Sequence, residues 1–257
     1  MQNSYILHCD DTIDGLLTAL YDGFVIKKKL GSSYDDCISI SIGSDQNYSL
    51  FSTWIEIMTD PKKASLTAST IYHQLGADVY AQVFRTLCHY DDSRGTVLMG
   101  FLTRAFKEGP SVLDHLSDPY VMRVLELSRK CGNESHLFYG FVRFTQLENT
   151  LYSRIEPKCN VLPILSPHFN DRFPKENWII YDVTHKIGSV HKAGNSWFIL
   201  EDPALLDIDL TNHQKKDPFH ALWRSFFQAI AIEERENPRC QNTLIPKWYR
   251  RHMDEFL

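Results

Sequence analysis

The chain has 257 residues, a formal net charge of −5, 43% hydrophobic residues and 23% charged residues, which is the composition of a folded globular protein. Its acidic balance excludes a broad basic surface for duplex DNA, so any nucleic-acid binding must use a local patch. The six cysteines are scattered singly without CxxC spacing. This pattern argues against a zinc ribbon or an iron–sulfur cluster and favours free thiols.

The start of the chain lacks the basic and long apolar regions of a signal peptide. No apolar run reaches the roughly 18 residues that a membrane span needs. We therefore expect a cytoplasmic protein without a membrane partner. Glycine-rich phosphate loops and HExxH spacing are also absent from the sequence, so we predict no cofactor and no metal site.

The first third of the chain alternates short strands with helices. Apolar runs predict strands over Tyr5–Cys9 and Cys37–Ile42, and residues 44–60 give no clear pattern. Helical spacing and the capping residues Asp10-Asp11-Thr12 predict a helix from Thr12 to Lys29. Two further helices are predicted within residues 65–107, separated by a turn at residues 91–93.

A helix over Pro119–Cys131 is predicted to end at Gly132-Asn133, where the character of the sequence changes. We therefore place a domain boundary near Gly132. Residues 1–132 form a mixed α/β, mostly helical N-terminal part, and residues 133–257 form an α+β domain.

The second part is predicted to be an antiparallel sheet with helices around it, which makes the fold class α+β. The predicted strands are Leu137–Thr145, Thr150–Ile155, Trp178–Val183, Lys186–His191 and Ser196–Leu200. The first two are expected to pair as a hairpin. The predicted helices are Asn160–Phe173, Phe219–Ile232 and Leu244–Phe256.

Arg143 is the first candidate for a functional side chain. In the predicted strand it lies among aromatic rings, where a guanidinium group needs an anionic or hydrogen-bonding partner. One interpretation is a structural ion pair with Glu148 or Glu156, the next two carboxylates downstream in the sequence. The other is a clamp for phosphate or carboxylate, because the guanidinium fork binds such groups in a bidentate manner.

Two histidines are further candidates. His168 and Arg172 lie one helical turn apart, beside aromatic rings, and would suit a phosphate or a nucleobase as well as an ordinary half-buried helix. His136 follows Glu134 by two residues, which is typical of a metal half-site, an acid–base pair or a plain surface turn. Asp182 at the end of a predicted strand completes the candidate catalytic set.

The last candidates lie near the C-terminus, where Trp248, Arg250 and Arg251 combine charge with an aromatic ring. Such interleaving is typical of single-strand binders, and an amphipathic helix docked through Trp248 is the alternative. We therefore count these three residues, together with Arg143 and Arg172, as candidate nucleic-acid contacts.

Six motifs of the second part are distinctive as a set: ESHLFYGFVRF (134–144), IEPKCN (155–160), HFNDRF (168–173), WIIYD (178–182), LWRSFFQAIAI (222–232) and IPKWY (245–249). Through them, and through the opening strand and helix around His8-Cys9-Asp10-Asp11, nearly the whole chain resembles a bacterial family assigned to DNA repair and DNA metabolism, which is built on a domain of unknown function. The resemblance implies association with a radical-SAM DNA repair protein. It also implies a relationship to domains fused to uracil-DNA glycosylase-like proteins.

Three hypotheses follow from the residues and the resemblance. The first is an accessory protein that binds damaged or single-stranded DNA, a radical-SAM partner, or both. The second is an enzyme acting on DNA, such as a nuclease or a base-processing activity, with His136, His168, Arg172 and Asp182 converging on one cleft. The third is a purely structural partner in which these side chains are scattered and separately satisfied.

Overall fold

The structure is a computed structural model that describes residues 4–31, 37–43, 52–201, 218–232 and 235–256. The chain divides into two compact units, Met1–Gly132 and Asn133–Leu257. The first unit contains strands β1 (Ser4–Cys9), β2 (Ile38–Ile42) and β3 (Ser52–Ile57) and helices α1 (Ile13–Leu30), α2 (Pro61–Leu87) and α3 (Arg94–Glu108). Helix α4 (Pro119–Phe141) begins in the first unit and ends in the second.

The first unit is built on a parallel sheet with strand order β2-β1-β3. Alternate residues of β1 and β2, such as Leu7 and Ile40, face a core shared with Leu16, Leu20 and other residues of the helices. The predicted strands Tyr5–Cys9 and Cys37–Ile42, the helix Thr12–Lys29 and the two helices within residues 65–107 are confirmed. Strand β3 was not predicted, and it lies within the unassigned residues 44–60, of which 44–51 are outside the described ranges.

Local chemistry explains where the first helices begin. The Thr12 hydroxyl accepts a hydrogen bond from the Gly15 N–H at 2.9 Å and caps α1, as its position predicts. The Asp60 carboxylate does the same for α2, accepting from the Lys62 N–H at 2.9 Å. Gly76 interrupts α2, because its φ of 85° is outside the helical region and favours glycine.

The second unit contains a five-stranded sheet of order β4-β5-β6-β7-β8. The strands are β4 (Thr145–Leu147), β5 (Thr150–Ile155), β6 (Asn177–Asp182), β7 (Ile187–His191) and β8 (Phe198–Glu201). The helices are α5 (Leu162–Arg172), α6 (Pro218–Ala229) and α7 (Pro238–Leu244), followed by 3-10 turns at Lys247–His252 and Asp254–Phe256. The α+β class is confirmed.

The sheet of the second unit is mixed rather than antiparallel throughout. Strands β5 and β6 are parallel, with Tyr152 opposite Ile179, and the other pairs are antiparallel. Helix α5 connects β5 to β6, and a crossover of this kind is what a parallel pair requires. The predicted strands from Thr150 onwards and the helix after Asn160 are confirmed.

The predicted strand Leu137–Thr145 is wrong, because α4 continues to Phe141. Buried residues recur along α4 at helical spacing, at Cys131, Glu134 and Phe138, which is the pattern of a continuous helix with one buried face. Gly132 therefore does not end the helix. The hairpin partner of β5 is instead the short strand β4.

The predicted helix Leu244–Phe256 is also wrong. An α-helix ends at Leu244, and the chain continues as two 3-10 turns. Pro246 adopts an extended conformation with φ −56° and ψ 144° and has no N–H to donate, so it separates the two parts.

None of the helices in the described ranges combines the length and the apolar character needed to cross a bilayer. The six cysteines are free thiols. Burial is found for Cys9, Cys88, Cys131 and Cys159, whereas Cys37 is partly buried and Cys240 is exposed.

Candidate functional site

The segment 237–253 of the second unit is rich in cations and free of carboxylates. It contains Arg239, Lys247, Arg250 and Arg251 and no Asp or Glu. The rest of the chain must then be more acidic than the net charge of −5 suggests. Along the sequence, this segment is therefore a positive stretch between Glu236 and Asp254 of an acidic chain.

Trp248 lies on the first 3-10 turn with 39% of its surface exposed. Its indole Nε1–H donates to the backbone oxygen of Glu156 at 2.7 Å, which fixes the ring in place. The guanidinium carbon of Arg251, three residues later on the same turn, lies 4.4 Å from the ring centroid. This distance is that of a cation–π contact, so the Trp248 ring and the Arg251 guanidinium group form a cation–π pair at the surface.

Glu156 is the anionic partner of this cation–π pair. Its Oε2 accepts from Arg251 Nη1 at 2.6 Å, and its Oε1 lies 2.9 Å from His252 Nε2. The Glu156 side chain is 19% exposed, whereas Arg251 is 54% exposed. Burial alone would raise the pKa of Glu156, but hydrogen bonds from His252 and Arg251 hold that pKa below its usual value.

Arg250 has its partners within the C-terminal segment itself. Its Nε donates to the Ile245 oxygen at 2.9 Å, its Nη2 donates to Asn242 Oδ1 at 2.8 Å, and its guanidinium group lies 4.6 Å from the Phe256 ring centroid. These contacts close the turn after α7. Of the three candidates in this segment, Trp248 and Arg251 are thus brought together and Arg250 is not.

Arg143 forms an ion pair with a residue that the sequence does not single out. Its Nη2 donates to Glu255 Oε1 at 2.6 Å and its Nε donates to Glu255 Oε2 at 3.3 Å, so the contact is bidentate. Trp223 adds an Nε1–H bond to Glu255 at 3.1 Å and a ring face 5.4 Å from the guanidinium carbon. The predicted partners Glu148 and Glu156 are wrong, because Glu255 comes much later in the chain and only the fold brings it close.

Glu134 anchors the same C-terminal segment. This buried carboxylate accepts from the backbone N–H groups of Lys158 and Cys159, both at 2.8 Å, and from the Tyr249 hydroxyl at 2.7 Å. Three donors account for its charge without help from His136, which is exposed. Glu134 therefore links the loop at Lys158 and Cys159 to the C-terminal segment that contains Tyr249. The predicted Glu134–His136 half-site is not formed.

His136 and His168 approach one another through Tyr139. The His136 and Tyr139 ring centroids are 6.0 Å apart, and those of Tyr139 and His168 are 4.4 Å apart. Arg172, at the end of α5, is exposed and lies over the neighbouring Phe173 ring at 5.6 Å. The two predicted histidines are thus linked across one partly exposed tyrosine.

Asp182 is occupied by its own turn. The carboxylate is fully buried and accepts from the N–H groups of Thr184 and His185 at 2.9 and 3.1 Å, and its Oδ2 lies 2.7 Å from His185 Nδ1. Burial raises the pKa of Asp182, and the contacts with His185 oppose this rise. Among the described residues, no hydrogen bond, ion pair or ring contact joins Asp182 to His136, His168 or Arg172.

Sequence reasoning missed three residues that hold the candidates: His185 at Asp182, Glu255 at Arg143, and His252, which shares the Glu156 carboxylate with Arg251. His185 had a local signal, because a carboxylate followed three residues later by a histidine suits a tight turn. Glu255 and His252 had none, since their partners lie about a hundred residues away. In the part of the chain that the structure describes, no cluster of three or more His, Cys, Asp or Glu side chains could hold a metal ion.

Comparison with known proteins gives one family. Residues 92–255 match the family described as a domain of unknown function, DUF4130, so well over half of the chain is covered. The chain therefore belongs to this family, and the match takes in α3, α4 and nearly all of the second unit. No significant match to a curated protein or to a solved structure was found.

Proposed function

We propose that this protein is an accessory factor of DNA metabolism whose second unit binds single-stranded or damaged DNA. The tail surface, defined as Lys247, Trp248 and Arg251, is the proposed contact. The observation that carries the proposal is the stacking of Arg251 on the exposed Trp248 ring at 4.4 Å. The family resemblance to DNA repair and metabolism proteins supports the same direction.

Single-strand binders combine cations that follow the phosphates with rings that stack on bases. Lys247 and Arg251 would supply the cations and Trp248 the ring. A ring held by its indole N–H loses little freedom when a ligand arrives. A small contact surface also suits an acidic chain, because a protein that makes only a few phosphate contacts does not need a basic surface elsewhere.

The test is fluorescence anisotropy of a labelled dT15 oligonucleotide with the full chain over a series of salt concentrations. We expect wild-type binding to weaken with salt, with a slope of about −0.7 for each phosphate contact. Arg251→Ala should weaken binding and make that slope less steep by about 0.7. Trp248→Ala should weaken binding and change the slope less than Arg251→Ala does, since a base–ring contact is worth about 1–3 kcal/mol and itself involves no ion release.

The matched control is Arg129→Ala, which removes one exposed arginine from the first unit and leaves the tail surface intact. It should bind as the wild type does. Arg172→Ala and Arg143→Ala test whether binding extends to the other candidate contacts. An absence of wild-type binding, or binding that does not respond to salt, would overturn the proposal.

A second candidate function is the docking of a protein partner, which the resemblance implies to be a radical-SAM DNA repair enzyme. Helix α6 and the residues after it favour this, because Leu222, Phe226 and Ile230 are more than half exposed and apolar. Co-elution of a radical-SAM DNA repair enzyme with the wild-type chain, but not with Leu222→Ser/Phe226→Ser, is the expected result. Separate elution of the two wild-type proteins would remove this candidate.

The enzyme hypothesis has less support from the geometry. His136 and His168 lie near one another, but the carboxylate of Asp182 is engaged by His185 in a separate turn. Cleavage or base release on damaged oligonucleotides that His168→Ala abolishes would revive it.

A further inference from the structure

Within the tail surface, the guanidinium group of Arg251 already holds an anion. The Glu156 carboxylate accepts from Arg251 Nη1 at 2.6 Å, as a phosphate oxygen would. We propose that Glu156 is a resident counter-anion, which a DNA phosphate displaces from Arg251 on binding. This inference rests on the proposed function and specifies how the same site is regulated.

The contact is arranged so that exchange leaves neither group without a partner. Glu156 uses separate oxygens for its two partners, Oε2 for Arg251 and Oε1 for His252. When Arg251 turns to a phosphate, the carboxylate keeps the contact with His252 at 2.9 Å. Exchange therefore avoids the large cost of a buried charge left alone.

Arg251 also keeps its position when the carboxylate lets go. Its guanidinium group rests on the Trp248 ring, and that ring is held by a hydrogen bond to the backbone oxygen of Glu156 rather than to its carboxylate. The side chain is 54% exposed, so a phosphate can reach it from solvent. Ring and backbone thus hold the cation ready while the anion is replaced.

The Arg143–Glu255 pair lacks these properties. Glu255 is 4% exposed, and Arg143 engages both of its oxygens. Displacement of Glu255 by a phosphate would break both contacts with Arg143 and leave a carboxylate that is 4% exposed with the Trp223 N–H and no cation. The exchange is thus specific to Glu156 and does not follow from every ion pair in the unit.

The test compares Glu156→Gln with wild type in dT15 binding at constant salt. We expect the affinity to rise about two- to fivefold, since an exposed ion pair no longer competes. The matched control is Glu176→Gln, which removes one exposed carboxylate of the same unit and should change affinity less. In the Arg251→Ala background, Glu156→Gln should bring no gain.

Unchanged or weaker binding by Glu156→Gln, a gain equal to that of Glu176→Gln, or a gain that persists without Arg251 would each overturn the inference. Glu156→Asp keeps the charge but shortens the side chain, so a smaller gain is expected, and this variant carries the test if Glu156→Gln does not fold. Failure of the proposed function has a different signature, because the wild type and both Glu156 variants would then fail to bind.

Discussion

Two arginine–glutamate contacts hold the C-terminal segment, and they differ in burial and in the number of donors. Arg143 meets Glu255 in a bidentate contact closed by Trp223, with Glu255 4% exposed. Arg251 meets Glu156 through one nitrogen and is itself 54% exposed. We call the first the closed pair and the second the open pair.

The difference teaches that the same two residue types can serve stability in one place and binding in another. A buried carboxylate that loses its partner is costly, whereas an exposed ion pair contributes little. The closed pair therefore fixes the segment around Glu255 to the rest of the second unit. The open pair leaves a cation at the surface that can change partners.

Breaking the closed pair should have the largest effect on stability. Arg143→Met leaves the Glu255 carboxylate buried without its cation, and we expect the free energy of unfolding to fall by about 3–5 kcal/mol. Urea unfolding followed by tryptophan fluorescence measures the change. The double variant Arg143→Met/Glu255→Leu should recover much of the loss. A loss below about 1 kcal/mol would mean that the pair is not a fixed anchor.

Tyr249→Phe tests a second buried carboxylate, that of Glu134. It removes the hydroxyl that donates to Glu134 at 2.7 Å and leaves the two backbone donors in place. A hydrogen bond to a charged group is worth about 1.5–3 kcal/mol, and we expect a loss in that range by the same unfolding measurement. Glu134 would not be an anchor of the tail if stability did not change.

The closed pair and the open pair should also respond differently to low pH. Burial would raise the pKa of Glu255, but the hydrogen bond from Arg143 holds it below the usual value, and the pKa of Glu156 is lowered by His252 and Arg251. A lowered folded-state pKa gives stability that is complete above the unfolded value, about 4.3, and is lost as pH falls through the folded value.

Unfolding measured from pH 6 to pH 2.5 should therefore show falling stability below about pH 4.3. Glu255→Gln should flatten this decline more than Glu156→Gln does. A larger change for Glu156→Gln would reverse our assignment of closed and open pairs. Asp182 acts in the opposite sense, because its pKa is raised by burial and its protonated form favours the folded state.

Breaking the open pair should have the smallest effect on stability. Arg251→Ala should lower the free energy of unfolding by about 0.2–1 kcal/mol, while DNA binding falls as described above. A loss of several kcal/mol would show that Arg251 is an anchor as well, and exchange with phosphate would then be excluded.

The fold could be predicted where periodicity and chain breakers agree. Strands β1 and β2 follow from apolar runs, and helix α1 follows from apolar spacing with the Thr12 cap. Helix α5 follows from apolar spacing alone, with Pro167 inside it. The stretch after Gly132 could not, because its aromatic residues favour a strand while Cys131, Glu134 and Phe138 also fit a helix. Gly within a helix costs only about 1 kcal/mol, which packing on one buried face can offset.

The site could be predicted only in its local part. Trp248 and Arg251 are three residues apart, and their contact follows from the turn that contains them. The identity of the anions could not be predicted, since Glu156 and Glu255 reach their arginines through the fold. Sequence reasoning chose the right kind of partner for Arg143, a carboxylate, and the wrong residue.

The cysteines offer a practical consequence. Cys240 is exposed on α7, within the acid-free segment 237–253, whereas Cys37 is partly buried and Cys9, Cys88, Cys131 and Cys159 are buried. A maleimide dye or a nitroxide spin label should therefore attach preferentially at one thiol close in sequence to Trp248. Such a reporter could follow the approach of an oligonucleotide through changes in emission or in spin mobility, in a chain that retains its natural residues.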